Sequence, residues 1–272
     1  MGVLDGKVAL VSGAARGQGR SHAVKLASLG ADIIAFDICA NVDSVEYPLA
    51  TPADLEETVK LVSELDRRIV ASVADVRDMA AVQKVVDEGA AELGGIDIVL
   101  ANAGIMPITG EVGQRHQSFI DAIDIMLVGV FNTVTAAEPY LLGRAGGGSI
   151  VITSSTSGLK ALGDGTAGVT GYVAAKHGVV GLMRSWAKKL GPKNIRVNTI
   201  HPTGVNSPMV ANEAFGRYVA EHPEIAQDLQ NVLPVELLEV GDVSEVVAFL
   251  CSPEGRFIHG HTLVVDAGFT IR

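Results

Sequence analysis

The segment spanning residues 7–37 limits the fold of this chain more than any other. Lys7 to Ser12 (KVALVS) is a short, Val-rich apolar run cut off by the Gly-rich segment SGAARGQG. Gln18 to Leu29 then repeats Ala, Val and Leu at helical spacing until Gly30, and Asp32 to Phe36 makes a second apolar run ending on Asp37. Strand, tight loop, helix and strand in that order are the βαβ unit of a nucleotide-binding fold.

The loop carries Gly13, Gly17 and Gly19 in a G-x-x-x-G-x-G spacing. It differs from the common G-x-G-x-x-G but shares its physics: glycines let the backbone approach a pyrophosphate, and the helix N-terminus behind them supplies N–H donors. Asp37, at the end of the next strand, would accept hydrogen bonds from ribose hydroxyls and repel a 2′-phosphate, which favours NAD over NADP. Arg16, inside the loop, argues the other way as a guanidinium able to bind that phosphate, or it is a solvated surface charge.

The alternation continues down the chain. Residues 40–50 break the pattern and read as a surface loop, and Thr51-Pro52-Ala53-Asp54 opens a helix with a cap, a first-turn Pro and an acidic N3 residue. Ile69 to Ala74, Ile96 to Ala101, Gly148 to Ser154, Ile195 to Ile200 and Thr262 to Asp266 read as strands. Met79 to Leu93, Ser118 to Leu142, the stretch from Tyr172 and Gly241 to Leu250 read as helices, with a polar Gly-rich segment at 157–171. Uniformly apolar strands between helices predict an α/β fold, a Rossmann-type doubly wound parallel sheet of about seven strands with helices on both faces. With no linker, residues 1–272 read as one domain. Residues 205–238, with Met209, Phe215, Tyr218 and Leu229 at weak helical spacing, suit a mobile lid over an apolar ligand.

Net charge is −10 with no Lys/Arg-rich block, which argues against a nucleic-acid partner or an anionic membrane surface. The start, MGVLDGK, has neither signal nor transit character, and no run approaches a membrane span. Cys39 and Cys251 are too few for a disulfide framework, so a cytoplasmic protein is expected. His177, His259 and His261 lack partners at ligand spacing, and no metal site is assigned.

Tyr172 and Lys176 stand four residues apart in GYVAAKHGVVGLMRSW, hence on one helix face. A phenol titrates near pH ~10, and an adjacent ammonium typically lowers that by ~1–3 units, bringing proton exchange towards neutrality. Ser154 and Ser155 close the fifth strand, where a hydroxyl can hydrogen-bond a substrate oxygen, although a strand-end Ser is commonly a turn residue. Asp75 and Val76, with Asn102, Ala103 and Gly104, lie at strand carboxyl ends where such sheets bind ligands. Asp75 as a helix N-cap and Asn102 as a loop stitch are the structural alternatives.

These pieces, in the order SGAARGQG, Asp37, ADV, NAG, SSTSG, YVAAK and RVNTIHPTGVNSPM, resemble the short-chain dehydrogenase/reductase family over essentially the whole chain. The resemblance implies an oxidoreductase interconverting an alcohol and its ketone. It assigns catalysis to Ser155, Tyr172 and Lys176, with Lys176 also on the nicotinamide ribose. The cofactor would be held by Gly13, Arg16, Gly17, Gln18 and Gly19, by Asp37 and Ile38, and by Asp75 and Val76. Asn102, Ala103 and Gly104 would join them, together with Thr153, Tyr172, Lys176, Pro202, Val205, Ser207 and Met209.

The insert after Asp37 and the insert KALGDGTAGVTG resemble the mycofactocin-coupled branch, implying tightly held NAD and electrons leaving through a peptide-derived carrier. Family likeness also implies a homotetramer built on the long helices, with the chain end helping close a neighbour's contact. The lid suggests an apolar secondary alcohol, terpenoid or steroid-like. One position departs from the pattern: Met126 stands where the family usually has Asn, and Met offers no comparable donor for a water chain to the lysine. An impaired proton relay is expected. Two other readings stay open, an idle NAD-binding sensor and an ordinary NAD(P)H-exchanging carbonyl reductase.

Overall fold

The computed structural model describes residues 2–161 and 163–272; Met1 and Leu162, the latter within the second insert, lie outside the described residues. In chain order the strands are β1 (Val8–Ser12), β2 (Asp32–Asp37), β3 (Ile69–Val73), β4 (Ile98–Ala101), β5 (Gly148–Thr153), β6 (Ile195–Pro202), β7 (Val205–Asn206), β8 (Leu238–Glu239) and β9 (Thr262–Val265). The α-helices are α1 (Gly17–Ser28), α2 (Pro52–Ser63), α3 (Met79–Leu93), α4 (Gly110–Gly113), α5 (His116–Ile123) and α6 (Gly129–Leu142). After them come α7 (Ala167–Leu190), α8 (Glu213–Glu221), α9 (Pro223–Asp228) and α10 (Val240–Cys251).

Seven strands form one parallel sheet in the order β3-β2-β1-β4-β5-β6-β9, and β7 pairs with β8 in a separate ribbon. The chain order reverses between β1 and β4, so a crevice opens there beyond the strands' carboxyl ends. Side chains alternate across the sheet with period two. Ala9, Val11, Ile33, Ala35, Ile98 and Leu100 join the core beneath α1 and α10, while Leu10, Ile34, Phe36, Val99 and Ile150 join the core beneath α3, α6 and α7. Both faces are therefore dry, which is why the strands read as unbroken apolar runs.

Local chemistry sets the element ends. Thr51 caps α2 in the reciprocal arrangement anticipated, Thr51 Oγ1 accepting from Asp54 N and Asp54 Oδ2 accepting from Thr51 N at 2.8 Å. Asp78, not Asp75, is the N-cap of α3, its carboxylate accepting from Ala80 N and Ala81 N. β4 starts at Ile98 because Ile96 and Asp97 precede the ladder, and Asp97 is committed to Lys7, Val8 N and Arg144.

The long helix expected at 118–142 begins two residues earlier and contains a π-helical segment at Asp124–Val128, which carries Met126. Such bulges are frequent at functional sites. The whole rod, His116–Leu142, is 27 residues with mean hydropathy 1.6 in its most apolar window, so by length and composition it can cross a membrane. That overturns the reading that no run approaches a span. Its apolarity has another physical source: 56% of the window is buried, α5 packing on α7 and α6 on α3.

Candidate active site

Two cavities meet at the carboxyl edge of the sheet. The first lies over the β1/β4 crevice as a solvent-open cleft with a cavity volume of about 160 Å³. Its floor is the loop after β1. Gly13 has φ +67, and a Cβ there would come within 2.7 Å of Ala103 Cα; a Cβ on Gly19 would strike the Gly13 carbonyl oxygen. Only glycine allows this loop to nest against the Asn102–Gly104 turn. Behind it α1 starts at Gly17 with no side-chain cap on its N-terminus and no acidic residue in its first turn. A helix end without a side-chain cap has amides that can bind an anion. Gln18 Oε1 is buried with no partner among the described residues, an acceptor waiting for a donor.

Asp37, 9% exposed, lies at the cleft's far end, with Oδ2 accepting from Ala15 N at 3.0 Å and Oδ1 from Cys39 N at 3.2 Å. Burial pushes its carboxyl above the ordinary range, and the amides and Arg16 oppose this. With the amides of Ala15, Ile38 and Cys39 drawing on its four lone pairs, the carboxylate keeps capacity for one further donor. Arg16 also lines the cleft, but its guanidinium donates to the Pro48 carbonyl at 2.6 Å, so it ties the loop after β2 to the loop after β1.

Ile38, Asp75, Val76, Ala103 and Gly104 line the same cleft. Asp75 is held by Arg77 through paired contacts of 2.8 and 2.6 Å. Asn102 is the stitch its alternative reading described: Nδ2 donates to Ser12 O at 3.2 Å, and Oδ1 accepts from Thr153 Oγ1 at 3.1 Å.

Tyr172 borders both cavities, as do Gln18, Ser154, Ser207 and Met209. Ser155, Pro202 and Val205 line only the second cavity, so the latter two stand apart from the cleft. Lys176 is 5% exposed; its ammonium donates to Thr153 O at 2.8 Å and lies 5.7 Å from the Tyr172 ring centroid. Burial lowers the Lys176 ammonium to about 8. The Tyr172 ring is half-buried, yet its hydroxyl end is desolvated, and burial raises the phenol while a hydrogen bond with Ser155 draws it down. The net direction is upward, opposite to the depression expected from Lys176, because losing water costs the phenolate more than the Ser155 hydrogen bond returns.

The second cavity is predominantly apolar, walled by Met106, Ile108, Val169, Phe215, Leu237 and Phe269 among others. Near the chain end Phe269, 2% exposed, packs against its own chain's second cavity, while Ile271 is 82% exposed. Met126 is 1% exposed on the cleft wall, and a Cβ on Gly104 would meet its sulfur at 3.6 Å, so it packs as a core side chain beneath the Asn102–Gly104 turn.

A family model described as enoyl-(acyl carrier protein) reductase matches residues 13–270. The structure superposes with a TM-score of 0.93 on a short chain dehydrogenase from Mycobacterium paratuberculosis bound to NAD, 42% identical and covering 100% of both chains. The chain belongs to the short-chain dehydrogenase/reductase family. Carveol dehydrogenase from Mycobacterium avium in complex with NAD is equally similar in shape, with a TM-score of 0.93 and 45% identity over 100% of both chains. (−)-trans-Carveol dehydrogenase of Rhodococcus erythropolis is 45% identical over 283 residues, covering 100% of each chain.

For a short-chain dehydrogenase/reductase, the residues that sequence reasoning missed lie mainly in the 40–50 segment. It is not a plain surface loop: Val42, Ser44, Tyr47 and Ala50 are buried, and Val42, Tyr47, Leu49 and Ala50 line the cleft. Tyr47 Oη accepts from Met106 N at 3.0 Å, pinning the segment over the crevice. A buried aromatic among polar residues was the available signal. The expected lid is built from β7, α8, α9 and β8, and Tyr218 Oη on α8 donates to Asp164 Oδ2 at 3.3 Å, tying lid to insert.

Proposed function

We propose that this chain is an NAD-dependent dehydrogenase that interconverts an apolar secondary alcohol and its ketone. The single observation carrying this is the position of Tyr172 on the wall between a cleft built for a dinucleotide and an apolar cavity. The residues present fit NAD. The bare N-terminus of α1 would hold the pyrophosphate, Asp37 the adenosine ribose, Lys176 the nicotinamide ribose, and Ser207, which borders both cavities, the carboxamide. NAD, when bound, supplies the hydride acceptor for the carbinol carbon.

The chain's residues do the rest. Ser155 holds the substrate oxygen and Tyr172 takes or returns its proton. Lys176, anchored on Thr153 O, keeps positive charge beside the phenol. Residues 205–238 close over the apolar cavity and exclude water. The chain acts as one domain in the cytoplasm and assembles as a homotetramer.

The tied-down 40–50 segment supports the mycofactocin-coupled reading, in which NAD stays bound and a peptide-derived carrier collects the electrons. The test is a panel of terpenoid and steroid alcohols, assayed with an artificial dye acceptor and separately with added NAD. Oxidation with dye and bound NAD alone is expected. Turnover only with excess free NAD identifies an ordinary NAD-exchanging reductase instead. Met126 in the cleft wall favours one rival, the idle sensor, and no oxidation by either wild type or Met126→Asn, with NAD bound in both, would establish it.

A further inference from the structure

His201 is fully buried at the end of β6 and lines neither cavity, yet both of its ring nitrogens are committed. Nδ1 lies 2.7 Å from the Ser155 carbonyl oxygen, and Nε2 lies 2.8 Å from Thr199 Oγ1. A carbonyl oxygen can only accept, so Nδ1 carries the proton. In the neutral ring Nε2 is then the acceptor and the Thr199 hydroxyl donates to it. Thr199 thus selects the tautomer that His201 needs to reach Ser155.

The Ser155 carbonyl also accepts from Gly158 N at 2.9 Å, so both of its lone pairs are used. Ser155 Oγ accepts from Ser157 N at 3.1 Å and hydrogen-bonds the Tyr172 phenol. The serine backbone is therefore gripped on one side by its own short turn and on the other by β6. Of the two grips, only the imidazole comes from a different strand.

We infer that His201 is a positioning residue for Ser155: by clamping the Ser155 carbonyl it fixes where the serine hydroxyl meets both Tyr172 and the substrate oxygen. This rests on the catalytic reading of Ser155 above. A displacement of about 1 Å at such a group can cost on the order of 10²-fold in rate, which sets the expected scale.

The experiment compares wild type, His201→Ala, His201→Asn, Ser155→Ala and the double variant His201→Ala/Ser155→Ala as full-length, NAD-loaded protein. The substrate is the alcohol oxidised fastest in the panel, with the dye as acceptor. His201→Ala should lower kcat by roughly 10- to 100-fold with KM within about twofold. His201→Asn, whose amide places a donor near the Nδ1 position, should recover most of that loss. In the Ser155→Ala background the His201 change should cost almost nothing further, since a clamp has no effect once its hydroxyl is gone.

Should His201→Ala fail to fold, Thr199→Val takes its place in both backgrounds: it keeps the ring but removes the donor selecting its tautomer. The same disappearance of its kcat loss without the Ser155 hydroxyl is expected. Equal fold-losses in both backgrounds, or an unchanged kcat, would overturn the inference. Full turnover by Ser155→Ala would overturn the reading of Ser155 itself, a result separate from either.

Discussion

The Lys176 ammonium stands 5.7 Å from the centre of the Tyr172 ring and is braced at 2.8 Å on the carbonyl of Thr153. Both groups are desolvated, which lowers the amine to about 8 and raises the phenol. Tyr172 therefore keeps its proton at neutral pH, and Ser155 is the group pulling the other way.

That balance predicts a pH effect of Ser155→Ala beyond the loss of rate. Alcohol oxidation needs the phenolate, so its rate rises as Tyr172 loses its proton. Without the Ser155 hydrogen bond the phenol titrates higher still, and the rising limb of kcat/KM against pH should move to higher pH. An unmoved limb would mean that Ser155 does not set the acidity of Tyr172.

Asp37→Ala should weaken NAD binding by roughly 10- to 100-fold, the range for hydrogen bonds to a charged group. Discrimination against NADP should shrink with it, since the repelling carboxylate is gone. Titration of both dinucleotides into cofactor-stripped protein measures this, and an unchanged preference would place the ribose elsewhere.

The 40–50 segment is held by Tyr47 on Met106 N and by Arg16 on Pro48 O. Tyr47→Phe leaves the Met106 amide without its acceptor, a cost of about 1–3 kcal/mol when buried. Bound NAD should then wash out faster in dialysis than from wild type. Equal retention would show that this segment is not what detains the cofactor.

Acid should destabilise the fold through His22, which is buried between α1 and α10 with Nδ1 2.8 Å from Ser244 Oγ. Burial lowers it from 6.5 to about 3. The unfolded chain therefore binds a proton that the folded one refuses, and stability falls as pH drops from about 6.5 towards 3. Between pH 7 and 5 this is worth about 2 kcal/mol. Urea denaturation at the two pH values should show that difference shrinking in His22→Gln; an identical slope in the variant would contradict it.

Much of this was legible because sequence and structure use the same local rules. Thr51-Pro52-Asp54 announces a capped helix, and a Gly-rich loop between apolar runs announces the crevice. Ser155, Tyr172 and Lys176 come together as their motifs imply. What escaped depends on neighbours distant in sequence. Asp75 looks like a cap until Asp78 is seen in that place, and Tyr47 looks like surface until Met106 N arrives beneath it. The direction of the Tyr172 shift needed burial as well as charge, and spacing reports only charge. The π-segment that presents Met126 has no periodicity of its own to betray it.

The central claim is that the Tyr172 hydroxyl exchanges the substrate's proton while the rest of the site binds and orients. Tyr172→Phe removes that oxygen and nothing else, so the measurement is NAD occupancy and alcohol turnover on the same preparation. Undiminished NAD binding and a loss of turnover on the order of 10²- to 10⁴-fold are expected. Turnover matching wild type, with NAD bound, would contradict that claim.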